Sequence, residues 1–213
     1  MKAAALGLQE QVDAMNVTPG DFTFKLCREA SPGERLAAAD LTVEVIANLY
    51  LKTGLARDML VAQFAEEFSE EGTELFGAMA VTVSGIGVAG VFSAFDSACR
   101  QDLEMGSMLR LLGALPGDLR ERFIDTLREH RKLLPAVPPD SFYLARFAVS
   151  PRARGTGLAA HMLKWFVDRR GPLATCSLLV DSRNTRAISF YRRHRFEDFA
   201  AKENGYLAMW LTP

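Results

Sequence analysis

One domain of the α/β-sandwich (α+β) class is the architecture this sequence predicts, on three observations. From residue 142 onward, strand-like and helix-like patterns alternate. Residues 74–95 hold two strand-like runs joined by Ser84-Gly85-Ile86-Gly87. Most of the remaining apolar residues recur at helical spacing. At 213 residues the chain can bury one sizeable core and is short for two full domains.

Residues 1–20 read as an arm ending at Thr18-Pro19-Gly20, which leaves 21–213 for the domain. Phe22-Thr23-Phe24-Lys25-Leu26 alternates apolar and polar residues as a first strand does. Ser31-Pro32-Gly33-Glu34 has the order of a helix start, with serine as cap, proline at the first helical position and glutamate three residues after the serine. That helix runs through Leu41, Val45, Ile46 and Leu49 and stops near Gly54; a second, about 55–68, repeats Leu60, Phe64 and Phe68 every fourth residue. Leu75 to Val83 and Val88 to Phe95 form the hairpin. Residues 97–135 are helical on both sides of a Pro116-Gly117-Asp118 break, and Pro135, Pro138 and Pro139 close the segment as a stiff linker. Then come a strand at 142–149, a helix from Thr156 to Arg169 stopped by Gly171-Pro172, and a strand at 175–181. A helix from Asn184 to His194 follows, with short strands at Phe196–Phe199 and Tyr206–Leu211.

Composition narrows the function classes. A net charge of −1 and a pI near 6.3 give no global field to draw the chain to nucleic acid or anionic membrane. No apolar run reaches the roughly 20 residues needed to cross a bilayer, and the N-terminus lacks a signal-peptide pattern. Cys27, Cys99 and Cys176 are odd in number and scattered, which suits a reducing, cytoplasmic compartment. His130, His161 and His194 show no metal-ligand spacing, so no metal is expected. Gly85-Ile86-Gly87-Val88-Ala89-Gly90 fits the dinucleotide pattern GxGxxG, but no helix opens at these glycines. The acidic residue expected about 20 positions later is missing as well. These glycines are assigned to a hairpin turn and close strand packing.

The informative stretch follows the strand at 142–149. Ser150-Pro151 ends that strand, and Arg152-Ala153-Arg154-Gly155-Thr156-Gly157 leads into a helix whose apolar stripe is Leu158, Met162, Leu163 and Phe166. Free N–H groups and the positive dipole end at a helix start favour phosphate, and glycines let the backbone approach it. Without the lysine of a GK[ST] sequence, a P-loop is not indicated. Eleven basic residues lie between 142 and 195 (Arg146, Arg152, Arg154, Lys164, Arg169, Arg170, Arg183, Arg186, Arg192, Arg193 and Arg195), against Asp168 and Asp181. Such a surface fits a multiply phosphorylated small molecule. Nucleic acid fits less well, because no aromatic residues interleave the arginines as a stacking platform.

At these residues the sequence resembles the GNAT superfamily. Its signature there is a strand often ending Val-x-Pro, then Arg/Gln-x-x-Gly-x-Gly/Ala opening a helix, and residues 152–157 match every fixed position. Asn184 to Phe196 is similar to the family's second element, Asn-x-x-Ala-x-x-x-Tyr-x-x-x-Gly-Phe, with Arg195 in place of the glycine. The two motifs cover about 142–211; residues 21–96 fit the family order loosely, and 97–140 has no counterpart in the minimal fold.

The resemblance implies the GNAT fold, a mixed central sheet flanked by helices, with a helical insertion between strands 3 and 4. It implies an N-acyltransferase that moves an acetyl or other acyl group from acyl-CoA to the amine of a small molecule or protein. Backbone amides of Arg154, Gly155, Thr156, Gly157, Leu158 and Ala159, with Arg152 beside them, would hold the pyrophosphate. Phe147, Ala148 and Val149 would pair with the pantetheine and place the thioester, and an N–H near Val149 would polarise its carbonyl. Asn184 would touch the cofactor, serve as helix cap, or both. Tyr191 would be the general acid that protonates the leaving thiolate, or a core tyrosine packed on Phe190 and Phe196. Many relatives carry a carboxylate on the strand before the loop, and Phe142 to Ser150 has none. Asp96, Glu104, Asp140 and Asp181 stand as substitutes for the base, and Cys99 and Cys176 are weaker candidates as nucleophiles. The missing base and Arg195 keep a second class open, a non-catalytic acyl-CoA sensor. The insertion reads either as cover for the acceptor site or as an interface, such as that of a homodimer.

Overall fold

The computed structural model describes residues 22–50, 53–170 and 175–213. The arm at 1–20, the Gly171-Pro172 stop and the Leu49 side chain lie outside the described residues. The elements in chain order are β1 (Phe22–Leu26), α1 (Pro32–Tyr50), α2 (Arg57–Glu67), β2 (Met79–Val83), β3 (Gly87–Asp96), α3 (Arg100–Ala114) and α4 (Gly117–Lys132). They continue with β4 (Ser141–Val149), α5 (Leu158–Asp168), β5 (Thr175–Asp181), α6 (Thr185–Arg193), β6 (Glu197–Ala201) and β7 (Tyr206–Leu211). The strands form one mixed sheet in the order β1-β2-β3-β4-β5-β7-β6, antiparallel throughout except for the parallel β4–β5 pair. α3 and α4 are the insertion between the third and fourth strands.

Local chemistry accounts for the boundaries. α1 begins in a reciprocal capping box: the Ser31 amide donates to Glu34 Oε2 at 2.8 Å, and the Glu34 amide donates to Ser31 Oγ at 3.3 Å. Its buried face differs from the expected stripe. Val45 is exposed, whereas Ala38, Ala39, Thr42 and Ile46 are buried, because α1 lies between the sheet and α2. The expected strand from Leu75 starts later, at Met79. Leu75 to Ala78 form a turn closed by the Ala78 amide on the Leu75 carbonyl. In the hairpin, Gly85 and Gly87 adopt left-handed φ of 78° and 83°. A Cβ on Gly90 would come within 2.5 Å of Met162 Sδ on α5. The GxGxxG glycines therefore serve the turn and helix packing.

Two apolar layers cover the sheet. Leu158, Met162, Leu163 and Phe166 of α5 and Ile188 and Tyr191 of α6 pack on one face, against residues such as Val81, Phe92 and Leu178. On the other face α1, α2, α3 and α4 bring Ala38, Leu60, Phe64, Leu111 and Phe123 against Ala80, Val91 and Ala148. The insertion is thus part of the second layer, and its end is tied to the far side of the sheet. The Tyr206 amide donates to the Leu133 carbonyl at 3.0 Å, and the His130 and Tyr206 rings meet edge to face at 5.2 Å.

Candidate active site

β4 is paired unequally along its two edges. Its ladder with β3 runs from Phe142 to Val149, with Ala145 left out where the register shifts. Its parallel ladder with β5 covers only Ser141 to Leu144, opposite Thr175 to Leu178. Beyond Leu178, β5 continues to Asp181 with β7 as its partner. A wedge therefore opens between β4 and β5. The Ser150 amide donates to the Ala89 carbonyl on the β3 side at 2.8 Å. Backbone groups alternate along a strand, so those of Phe147 and Val149 point into the wedge and those of Ala148 point to β3. Of the three residues expected at this edge, two offer hydrogen bonds to it and Ala148 does not.

At the end of β4 the chain makes a tight turn over Pro151–Ala153 and enters α5. Gly155 and Gly157 take left-handed φ of 85° and 82°, and Gly157 is the N-cap of α5 with no side-chain cap. Every second amide is already committed. Arg154 bonds to Pro151 O, Thr156 to Ala153 O, and Leu158 to Thr156 Oγ1, each at 3.4 Å. The amides of Gly155, Gly157 and Ala159 have no protein acceptor among the described residues. The expected run of six donors is three alternating ones, arranged as a nest at the positive end of a helix. Helix α5 begins at Leu158, two residues later than expected, because Thr156 and Gly157 form this nest.

The basic surface is not uniform. Lys164, Arg183 and Arg192 are paired with Asp168, Asp181 and Asp198. Arg152, Arg154, Arg186, Arg193 and Arg195 are exposed around the nest and α6 without a carboxylate partner among the described residues. Arg146 lies on the opposite face of the sheet and pairs with Glu74.

Asn184 caps α6, accepting from the Ala187 amide at 3.1 Å. Tyr191 is buried, with Phe190, Phe196 and Phe147 at ring distances of 5.3, 5.8 and 6.3 Å. The packing named as its structural alternative is thus present, and contact with Phe147 also sets the ring beside the wedge. Burial, reinforced by Tyr143, pushes the phenol well above its ordinary range, so it stays protonated. Arg195 adopts φ 70°, the conformation a glycine would supply, and the Phe196 amide closes on Tyr191 O at 3.1 Å. The departure from the motif leaves the backbone course of the motif in place.

Three of the four proposed bases are otherwise engaged. Asp96 caps a turn by accepting from the Ala98 amide, and Glu104 binds Arg100 at 2.5 Å. Asp181 is gripped by Arg183 at 2.6 and 2.9 Å, which holds its carboxyl below the usual range. Asp140 sits in a left-handed turn at φ 51°. Cys176 is buried and its thiol is raised to about 11 by burial, while Cys99 is exposed on a short turn. Two carboxylates the sequence did not single out are buried instead. Glu74 bonds Arg146 Nη2 at 2.6 Å, and Glu67 bonds the Ser107 hydroxyl. They line a water-sized cavity of about 10 Å³ with Thr42, Tyr50, Ser107 and Arg146. Both come from the acidic run 66–74, which has the composition of a solvated surface.

Residues 123–196, from α4 through the end of α6, match the sequence model of the Acetyltransferase (GNAT) family. No curated protein sequence matches the chain. Among solved structures, the fold is similar to an N-acetyltransferase from Staphylococcus aureus Mu50, at TM-score 0.70 and 18% identity, covering 89% of this chain and 100% of that one. It is also similar to a structure described as an acetyltransferase, at TM-score 0.62 and 17% identity over 89% and 98% of the two chains. A third is described as histone acetyltransferase HPA2 and related acetyltransferase from Corynebacterium glutamicum, at TM-score 0.53 and 22% identity over 91% and 97%.

Proposed function

We propose, from the match of residues 123–196 to the acetyltransferase (GNAT) family model, that this chain transfers an acyl group from acyl-CoA to an amine. The observation that carries the reading is the conjunction of the β4–β5 wedge with the glycine nest at its mouth. A pantetheine chain is an extended diamide that can take up the unpaired groups of Phe147 and Val149, and its pyrophosphate suits the amides of Gly155, Gly157 and Ala159. Arg152 and Arg154 add charge beside that site, and Asn184 fixes the start of α6 along its rim.

In this reading the amine nitrogen attacks the thioester carbonyl carbon. A C–N bond forms, and the oxygen takes up charge against the Val149 amide. The C–S bond then breaks as the carbonyl re-forms, the thiolate takes the Tyr191 hydroxyl proton, and the surplus proton on nitrogen returns through water to the Tyr191 oxygen, which restores the acid. Holding amine and thioester together supplies much of the acceleration. The insertion is proposed to cover the acceptor, supported by its seat on the sheet face opposite α5 and its tie to β7 at Leu133. The free state of Cys27, Cys99 and Cys176 supports a cytoplasmic setting.

The test is coenzyme A binding. Coenzyme A at a hundred times its Kd stabilises the fold by roughly 2.7 kcal/mol, read from denaturation curves. In Gly157→Val a β-branched residue must occupy left-handed backbone, so the nest opens and this stabilisation disappears. An intact protein that gives no calorimetric signal with coenzyme A refutes the assignment.

A further inference from the structure

The strand that carries the wedge also carries one charged side chain. Arg146 lies one residue before Phe147, and alternation places it with Ala148 on the sheet face covered by α1 to α4, opposite the nest. Its side chain is 23% exposed. Only Nη2 has a protein acceptor, Glu74 Oε2 at 2.6 Å, while Nε and Nη1 have none among the described residues. Glu74, with a side chain 6% exposed, is itself held. Its amide donates to Ser107 Oγ at 3.0 Å, and Ser107 in turn bonds Glu67. The guanidinium is therefore fixed from α2, α3 and the loop between α2 and β2. The other acids nearby have partners of their own: Glu67 accepts from Ser107, and Glu104 binds Arg100, whose guanidinium lies 4.9 Å over the Tyr143 ring.

A guanidinium is a rigid fork whose spare N–H pair matches a carboxylate, and a preorganised fork loses little freedom on binding one. Resting on the acyl-transfer reading above, we propose that Arg146 grips a carboxylate of the acceptor, which makes the acceptor class a primary amine that also bears a carboxylate. The ion pair with Glu74 then has a purpose beyond packing. It holds the fork on the sheet face under the insertion, one residue along β4 from Phe147, whose backbone edge would hold the thioester.

The test uses the full-length protein, acetyl-CoA and release of free coenzyme A thiol. Acceptors are offered in pairs that differ only in the carboxylate: tyrosine with tyramine, histidine with histamine, lysine with cadaverine. At least one carboxylated member is expected to be preferred by about tenfold or more in kcat/KM. In the double variant Arg146→Gln with Glu74→Gln, which removes both charges of the pair together, the preference collapses while the Kd for coenzyme A is unchanged. Turnover of amines with no preference for the carboxylate overturns the inference alone. So do a preference that survives in the double variant, and coenzyme A binding without turnover of any carboxylated member. Failure to bind coenzyme A removes the acyl-transfer reading, and this inference with it.

Discussion

Replacing Glu67 with glutamine isolates a single buried proton. Glu67 is 1% exposed at the end of α2, hydrogen-bonded to Ser107 and close to the Glu74–Arg146 pair. Burial raises its carboxyl from 4.5 to about 7, with the neighbouring Glu74 adding to the rise and the Ser107 hydrogen bond opposing it. Because the folded-state value exceeds the unfolded one, the fold favours the protonated acid. The associated stability is fully present below about pH 4.5, declines as pH rises, and is gone above about 7. At 1.36 kcal/mol per unit, the loss for the wild type across that window is about 3 kcal/mol. Glutamine keeps the shape and never ionises, so Glu67→Gln lacks this loss. Urea denaturation of both proteins from pH 4 to pH 8 should give a stability difference that grows in favour of the variant by about 3 kcal/mol and then levels off. Groups common to both proteins cancel in the difference. Curves that stay parallel across the window would show that Glu67 ionises as freely in the fold as in the unfolded chain, and the argument from burial would fail.

Two further outcomes test the α6 region. Tyr191→Phe removes a hydroxyl that has no hydrogen-bond partner in the protein among the described residues. Stability should hardly change, coenzyme A affinity should be preserved, and kcat should fall on the order of 10²-fold; full turnover in the variant would return Tyr191 to a packing role. Arg195→Gly relieves a left-handed non-glycine residue at the end of α6 and should stabilise the protein by about 0.5–1 kcal/mol, measured by thermal melting, and a variant that melts earlier would refute that account.

The sequence was most legible where backbone chemistry is written in residue type. Ser31-Pro32-x-Glu34 specified its capping box, and Gly155 and Gly157 specified left-handed turns. The alternation of patterns from 142 on specified the β4-α5-β5-α6 order, and β1 and β7 begin and end where their patterns do. It was least legible where meaning depends on which surface a residue meets. Glu67 and Glu74 sit among Glu66, Glu70 and Glu71 and are indistinguishable from them in sequence, yet Glu67 shares the buried face of α2 with Leu60 and Phe64, and Glu74 follows the buried Thr73 and is held by Ser107. One signal was available: Arg146 is a lone charge in the apolar strand Phe142–Val149, and a charge in that position requires a buried partner. The wedge was invisible for a related reason. Nothing in Ala145 to Val149 distinguishes an edge paired with β5 from an open one, since the gap arises from the divergence of two strands distant in sequence.

The four registers that join β4 to β5 also set how the molecule can flex. A seven-stranded sheet hydrogen-bonded at its centre over only Ser141–Leu144 and Thr175–Leu178 is mechanically two plates, β1 to β4 and β5 to β7, sharing a short joint. Torsion between the plates would be concentrated there, with α5 as the strap that links them in the chain. A molecule bridging the open span would act as an eighth strand and complete the beam, so stiffness across the sheet's middle would be a property of the complex rather than of the chain alone. Whatever fills the wedge then does structural work simply by being long, extended and able to hydrogen-bond on both sides.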